Sequence, residues 1–292
     1  MPRIALKRVS ARRNGHQTQK ALRIFRGWAQ VSSNSNRYVH GRDMIPDTQF
    51  PLMRTVGFDG LLVTFAQTMS EPSNRAALAF RGAVEAQQID GVLETSASLA
   101  SAYVRFNPSK LSHQDIEEQV RALLDGRDWY AAPLPAGRRF WKVPTVYGTD
   151  LAPQLEDAAA AAGLNPEDAI ERLSQTRVRV LTIGFAPGQP YLGPLAPEFN
   201  IPRLKELTPM VPEGALVLAI SQFVLFSGPT PTGWRHVGQT AFRCFRPDME
   251  QSFALNPGDE MQFVSVSPDA LEEIRATCTD GTGGAQCEEI TA

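Results

Sequence analysis

Gly184-Phe-Ala-Pro-Gly-Gln-Pro-Tyr-Leu-Gly193 is the most heavily punctuated stretch of the chain, with two prolines and three glycines in ten residues. Proline removes a ladder donor and glycine frees the backbone, so the segment reads as a rigid loop and not as regular structure. It leaves a strand expected over 178–184. Outward from it, short apolar runs at 215–220, 222–227, 242–246 and 260–266 alternate with Pro/Gly turns. Short strands at such spacing predict a sandwich or a closed barrel. The loop itself has two readings: a structural corner between barrel strands, or a nest of exposed glycine amides able to bind an anion. In the second, Pro187 and Gly188 shape the nest and Tyr191 offers a hydroxyl and a flat face.

Upstream the pattern changes to β-α-β-β-α. Asp59-Gly-Leu-Leu-Val-Thr-Phe65 is rich in β-formers. Ser70 is a helix cap with Pro72 in the first turn, and Ala77, Phe80, Val84 and Ile89 recur near helical spacing to about Gln88. Two strands follow, at 92–95 and 102–106. Ser112-x-x-Asp115 opens a second helix as a capping box, and Asp125-Gly126 ends it. Helices on one side of a small antiparallel sheet predict a ferredoxin-like sandwich. The chain then divides into a head (1–50), an α+β domain (51–135), a β-rich domain (136–268), sandwich or barrel, and a flexible tail (269–292). Ala131-Ala-Pro-Leu-Pro-Ala-Gly137 serves as the linker. A strand at 139–147, an Ala-rich helix at 151–162 and a helix opened by Asn165-Pro166 lead into the barrel.

Charge is unevenly spread. Residues 1–42 carry ten Lys and Arg and no acid, which leaves 19 basic against 31 acidic residues in the remainder, a balance of −12. An acidic body argues against a nucleic-acid partner, because phosphate binding needs a basic surface. The basic head reads as a targeting segment, a disordered tail, or sequence upstream of a true start at Met44 or Met53. No run approaches the roughly 18 apolar residues of a membrane helix, so no membrane partner is expected. Three cysteines make no disulfide framework and fit a reducing, cytoplasmic setting. Cys244 falls in an expected strand as a small buried hydrophobe, and no metal site is expected.

Several polar residues stand at loop distance from the punctuated stretch. Arg203, held after Pro202, can fork onto a carboxylate or phosphate, or be an ordinary surface arginine. Trp234, in Pro231-Thr-Gly-Trp-Arg-His236, can wall a pocket or cap the core. His236 has no Ser or Cys nucleophile motif beside it. The chain contains no GxSxG, HExxH, GxGxxG or GxxxxGK[ST] signature. Any nucleotide site is therefore nonstandard or lies on a partner.

Taken in order, Gly184–Leu192, Pro202-Arg203, Val211-Pro-Glu-Gly-Ala215, Gln222, Pro231-Thr-Gly-Trp234, Val237-Gly-Gln-Thr240 and Pro257-Gly-Asp-Glu-Met-Gln-Phe263 resemble the family of the kinase inhibitor KipI and the 5-oxoprolinase B-subunit. This family is also called allophanate hydrolase subunit 1 or the carboxyltransferase C/D domain. Leu61–Phe65, Gly91-Val92, Asn107-Pro108 and Pro144–Gly148 carry the resemblance into the first half. It implies a ferredoxin-like domain followed by a cyclophilin-like β-barrel. It also implies a complex with a homologous C-subunit plus an A-subunit, which opens the small-molecule substrate 5-oxoproline to glutamate with ATP. Arg203 would be the catalytic anion-binding group. Pro187, Gly188, Tyr191, Gln222 and Trp234 would bind substrate. Two alternatives stay open: a KipI-like inhibitor that binds a histidine kinase without catalysis, and a carboxyltransferase-like subunit tied to urea-type substrates. The chain departs from the family pattern at Gln189 (an aromatic elsewhere), Ser174 (often histidine), Leu207-Thr208 (a second Pro-Arg) and Thr232 (glycine). It also departs at Ala219-Ile-Ser-Gln-Phe-Val224, where the family has Gly-Gly-x-Gln-Thr-Gly and side chains now crowd backbone expected near a ligand.

Overall fold

The computed structural model describes residues 49–291, so the readings of the basic head fall outside it apart from Gln49 and Phe50. The first sheet is antiparallel in the order β1-β2-β4-β3, built from β1 (Leu52–Val56), β2 (Gly60–Thr64), β3 (Val92–Ser98) and β4 (Ser101–Phe106). Two helices belong with it, α1 (Glu71–Ala86) and α2 (His113–Asp125). Both start on reciprocal capping boxes. The Ser70 and Ser73 hydroxyls accept from each other's backbone N–H, and Ser112 pairs with Asp115 in the same way. Leu61, Val63, Phe80, Val104, Phe106 and Ile116 form the shared core.

Strand β1 is not expected from the sequence. Its last three residues are exposed and show no apolar alternation, so periodicity carries no signal there. It completes the ferredoxin-like sheet. In a β-α-β-β-α-β order the fourth edge strand comes last, whereas here β1 takes the place beside β2 from the front of the chain.

The second sheet closes on itself. Its strands are β5 (Arg139–Tyr147), β6 (Arg177–Ile183), β7 (Pro190–Gly193), β9 (Ala215–Ala219), β10 (Gln222–Leu225), β12 (Arg235–Thr240) and β13 (Glu260–Ser265). The order β12-β9-β10-β7-β6-β13-β5 is closed by β5 pairing back onto β12. Closure depends on the nine-residue length of β5. One edge runs parallel to β13 from Phe140 to Thr145. The other edge pairs with β12 at Thr145–Tyr147 and with β14 (Gln286–Glu289) at Arg139–Lys142. The result is the expected α+β arrangement, a ferredoxin-like sheet followed by a cyclophilin-like barrel.

The barrel interior is filled by Leu216, Leu218, Phe223, Leu225, Val237, Phe242 and Phe263, among others. Strand alternation sends Ala215, Val217, Ala219 and Val224 to the outer face, yet these are buried too, against Val211, Phe226 and Trp234. A two-stranded ribbon of β8 (Thr208–Val211) and β11 (Thr230–Thr232) supplies part of that second layer. Burial on both faces explains why β9 reads as an unbroken apolar run. Helices α3 (Leu155–Ala161) and α4 (Pro166–Gln175) pack on the inner cluster through Leu155, Ala158 and Leu173.

Three sequence expectations are corrected. Pro190–Gly193, read as loop, is strand β7, because Leu192 and Tyr191 pair with Phe223 and Val224. Residues 242–246 are not a strand. Only Phe245 bridges, to Phe253, and Cys244 is buried without a ladder. Residues 269–292, read as a flexible tail, contain most of α5 (Pro268–Thr277), capped by Ser267, and the β14 strand.

The two sheets are joined by polar contacts at the start of α1. Asn74 is fully buried, and its amide donates to Leu99 O (2.7 Å) and Leu181 O (3.1 Å). Thr182 Oγ1 donates to Ala97 O at 3.1 Å. Asn74→Ala leaves two carbonyls, the buried Leu181 O and the partly buried Leu99 O, without their donor. A loss of about 1–3 kcal/mol in unfolding free energy is expected by urea denaturation, and an unchanged midpoint would deny this residue its joining role.

Candidate functional site

One concave site lies on the outside of the barrel. A cleft of about 240 Å³ opens between the outer face of β10, the 201–207 segment and β11. Its walls include Gln189, Tyr191, Arg203, Val224, Phe226 and Trp234. Tyr191 reaches it because β7 pairs with β10, which puts Tyr191 opposite Val224 on the outward side. Trp234 immediately precedes β12, and its backbone N–H donates to Thr232 Oγ1 at 3.1 Å. The two rings meet edge to face, with centroids 6.3 Å apart and planes at 77°.

Arg203 is aimed by its neighbours. The Arg235 guanidinium donates to Pro202 O at 2.6 Å, and Leu204 N–H donates to Gly233 O at 2.7 Å. The residues on both sides of Arg203 are thus fastened, while Arg203 itself is exposed. Its guanidinium carbon lies 5.3 Å from the centre of the Trp234 ring, a cation–π contact of roughly 0.5–1 kcal/mol at an exposed position. Arg235 is anchored in turn by Asp157, with Nε 2.6 Å from Oδ2.

Two features set the electrostatics. Burial pushes the Tyr191 hydroxyl above its ordinary value, and the nearby Arg203 charge and the Gln189 side chain pull in the opposite direction. Tyr191 is therefore a neutral hydroxyl at pH 7, able to donate. Gln189 is 1% exposed; its amide lies beside the Tyr191 hydroxyl, and its carbonyl oxygen makes no hydrogen bond of good geometry. A buried acceptor left in that state costs about 1–3 kcal/mol, and a ligand N–H would relieve it. The cleft therefore offers a cation, a hydroxyl donor, an orphaned acceptor and two aromatic faces. Among the described residues, no three His, Cys, Asp or Glu side chains gather as a metal-holding group.

The residues expected to form the site divide into two sets. Tyr191, Arg203 and Trp234 converge on the cleft, while Pro187, Gly188 and Gln222 do not line it. Gly188 has φ +70°, and a Cβ there would lie 2.8 Å from the Cys244 carbonyl oxygen. Close packing against backbone demands that glycine, which is the structural-corner reading of the loop. The turn is tied by Gly184 N–H to Gln189 O (3.0 Å) and by Gln189 N–H to Ala186 O (3.1 Å). Gln222 starts β10 beside the Ile220-Ser221 turn, where both turn residues have positive φ. The crowding expected at Ala219–Val224 therefore falls mostly at a hairpin end, and only Val224 faces the cleft. The sequence reading missed Gln189 as a cleft residue. Its one signal was the polar replacement of an aromatic in the motif. His236 is buried away from this cleft.

The carboxyltransferase domain family, subdomain C and D, matches residues 51–255. The 5-oxoprolinase B-subunit of Bacillus subtilis is 26% identical over 226 residues, covering 73% of this chain and 91% of that protein. The 5-oxoprolinase B-subunit of Escherichia coli O157:H7 is 33% identical over 160 residues, 54% of this chain and 70% of that protein. Among solved structures, TTHA0988 aligns with a TM-score of 0.60 at 26% identity over 74% of this chain, which spans only 40% of that longer chain. The Kluyveromyces lactis urea carboxylase shares the fold, with a TM-score of 0.62 at 18% identity over 82% of this chain and 24% of its own.

Gly188→Ala combines a disfavoured φ with a backbone clash. It is expected to lower unfolding free energy by about 1–3 kcal/mol. A chemical-denaturation midpoint equal to wild type would show that the turn has room to spare. Burial also holds the His236 imidazole below its ordinary value of 6.5. The unfolded chain then takes up a proton that the native state refuses, so stability falls as pH drops from about 6.5 through the native value. His236→Gln is expected to flatten the part of the pH–stability profile just below 6.5, as read by thermal unfolding.

Proposed function

Because this chain belongs to the family that joins the 5-oxoprolinase B-subunit to the carboxyltransferase subdomains C and D, we propose that its cleft binds a small cyclic amide bearing a carboxylate, 5-oxoproline, for ring opening. The observation carrying this reading is the pairing of Arg203 with the orphaned Gln189 oxygen in one small cleft. A lactam acid presents a carboxylate for the guanidinium and one N–H for the buried acceptor. The Tyr191 and Trp234 rings cover the ring's faces, and the Tyr191 hydroxyl is a donor for the lactam carbonyl.

The roles follow from the chemistry of the groups. Arg203 holds the carboxylate and fixes the ring's orientation. Gln189 accepts the lactam N–H and rejects analogues that lack it, because an unpaired buried acceptor penalises them. Tyr191 stabilises negative charge developing on the carbonyl oxygen by donating a hydrogen bond. In this reading ATP binds elsewhere than in this cleft. Its volume of about 240 Å³ is below the roughly 300–1,000 Å³ usual for drug-sized ligands. Arg203 is its one cation, and no phosphate-cradling loop lines it. The nucleotide therefore belongs to a partner, consistent with relatives whose name makes them one part of a larger enzyme. In this reading the partners are a homologous C-subunit plus an A-subunit.

The test is coexpression of this chain with homologues of the C- and A-subunits, followed by measurement of 5-oxoproline-dependent ADP release. Wild-type complex is expected to turn over. Arg203→Ala is expected to lose roughly 10- to 100-fold in kcat/KM, the equivalent of one charged hydrogen bond. Gln189→Leu is expected to discriminate less against analogues in which the lactam nitrogen is replaced by oxygen. Full turnover by Arg203→Ala, or none by the wild-type complex, would remove the assignment.

A further inference from the structure

A second cleft, of about 350 Å³, lies between β8, β12, the turn that follows β5 and helix α5. It shares no lining residue with the first. Its floor holds two polar side chains that are almost entirely buried, His236 at 4% and Gln239 at 3% exposed. Each leaves one atom without a hydrogen-bond partner, His236 Nε2 and Gln239 Oε1. Both come from β12, whose register shifts between His236 and Gly238. That irregularity lets residues three apart share one side of the strand, where strict alternation would send them to opposite faces.

The chemistry of the floor is fixed by its surroundings. Gln239 Nε2 donates to Glu213 O at 2.9 Å and to Thr240 O at 3.0 Å. Both partners are carbonyls, so the amide cannot be turned round, and Oε1 is an acceptor beside the His236 ring with no hydrogen bond of good geometry. The His236 ring is kept neutral by burial, against the opposing pull of the Gly238 carbonyl and the Gln239 side chain. In the tautomer that carries the ring proton on Nδ1, Nε2 is a second acceptor. The wall carries three charged residues. Glu213 is paired with Arg243 at 3.2 Å, and Arg275 is paired with Glu272. Asp150 is exposed and has no ion-pair partner among the described residues. The surplus charge at the mouth is therefore negative.

We propose that this cleft is a binding site for a small organic cation rich in N–H groups, a guanidinium or primary ammonium compound. Its N–H groups donate to Gln239 Oε1 and His236 Nε2, and its charge is balanced by Asp150. The apolar wall of Val211, Met210 and Pro153 accommodates a short hydrocarbon attached to the cation. A neutral amide satisfies the floor but leaves the carboxylate unmatched, and an anion is repelled by both. The proposal does not depend on the lactam reading of the first cleft.

The experiment uses the full chain labelled with ¹⁵N-histidine, which gives only four side chains to resolve. His236→Gln assigns the His236 signals. Butylguanidinium chloride is titrated, with butyramide as the neutral counterpart. A saturable shift of the His236 ring nitrogens with butylguanidinium, absent with butyramide, is expected. Asp150→Asn, an exposed change that leaves the floor intact, is expected to weaken binding roughly two- to fivefold. No saturable shift in folded protein, equal binding of butyramide, or unchanged affinity in Asp150→Asn would each overturn the proposal. So would a free-state spectrum with the ring proton on Nε2 and shared with Gln239, because the two atoms would then satisfy each other.

Discussion

Closure of the barrel through β5 is the constraint on which the rest of the structure depends. One strand must be long enough to pair along one edge with β13 and along the other with both β12 and β14. A barrel of about eight strands is only wide enough for its own side chains, and this one, with seven, is filled by leucines and phenylalanines. Closure therefore removes the interior as a place for ligands. Recognition has to be built on the outside, and that requires a second layer to make the outer face concave.

The β8–β11 ribbon and the 201–207 segment provide that layer. They bury the outer side chains of β9 and β10, which is why residues 215–219 are apolar throughout. They also leave two gaps of different character. One is ringed by aromatic faces and an arginine, the other floored by neutral acceptors with a carboxylate at the mouth. Strand β12 underlies both, since Trp234 just before it faces the first and His236 and Gln239 face the second. Its polar composition in a fully buried strand is the local cost of serving both gaps.

Asn74, Thr182 and the start of α1 bind the ferredoxin-like sheet to β6, the strand that leads into the Gly184–Gln189 turn. Packing between the two sheets is thereby connected to the corner that presents Gln189 and Tyr191. The glycine in that corner serves backbone packing, since Gly188 touches Cys244. A motif rich in glycine is therefore no guide by itself to where an anion binds.

Local signals in the sequence settled α1, α2 and α4 with their caps, because Ser70, Ser112 and Asn165 act on backbone groups within three residues, whereas α5, capped by Ser267, was read as tail. They also narrowed the second half to a sandwich or a closed barrel, since apolar runs cut by Pro and Gly admit few architectures, and the family resemblance chose the barrel. The ordered motifs gave the family, and with it Tyr191, Arg203 and Trp234 as residues that meet. Other features depend on partners far away in the chain. β1 and β14 have little apolar pattern and exist as strands because β2 and β5 offer them an edge. Pro187, Gly188 and Gln222 sit within motifs, but the packing turns them from the cleft and brings Gln189 in. Orphaned acceptors have no sequence signature at all. Whether Gln189, His236 and Gln239 find partners depends on which groups the closed barrel sets opposite them, and only the tertiary structure decides that.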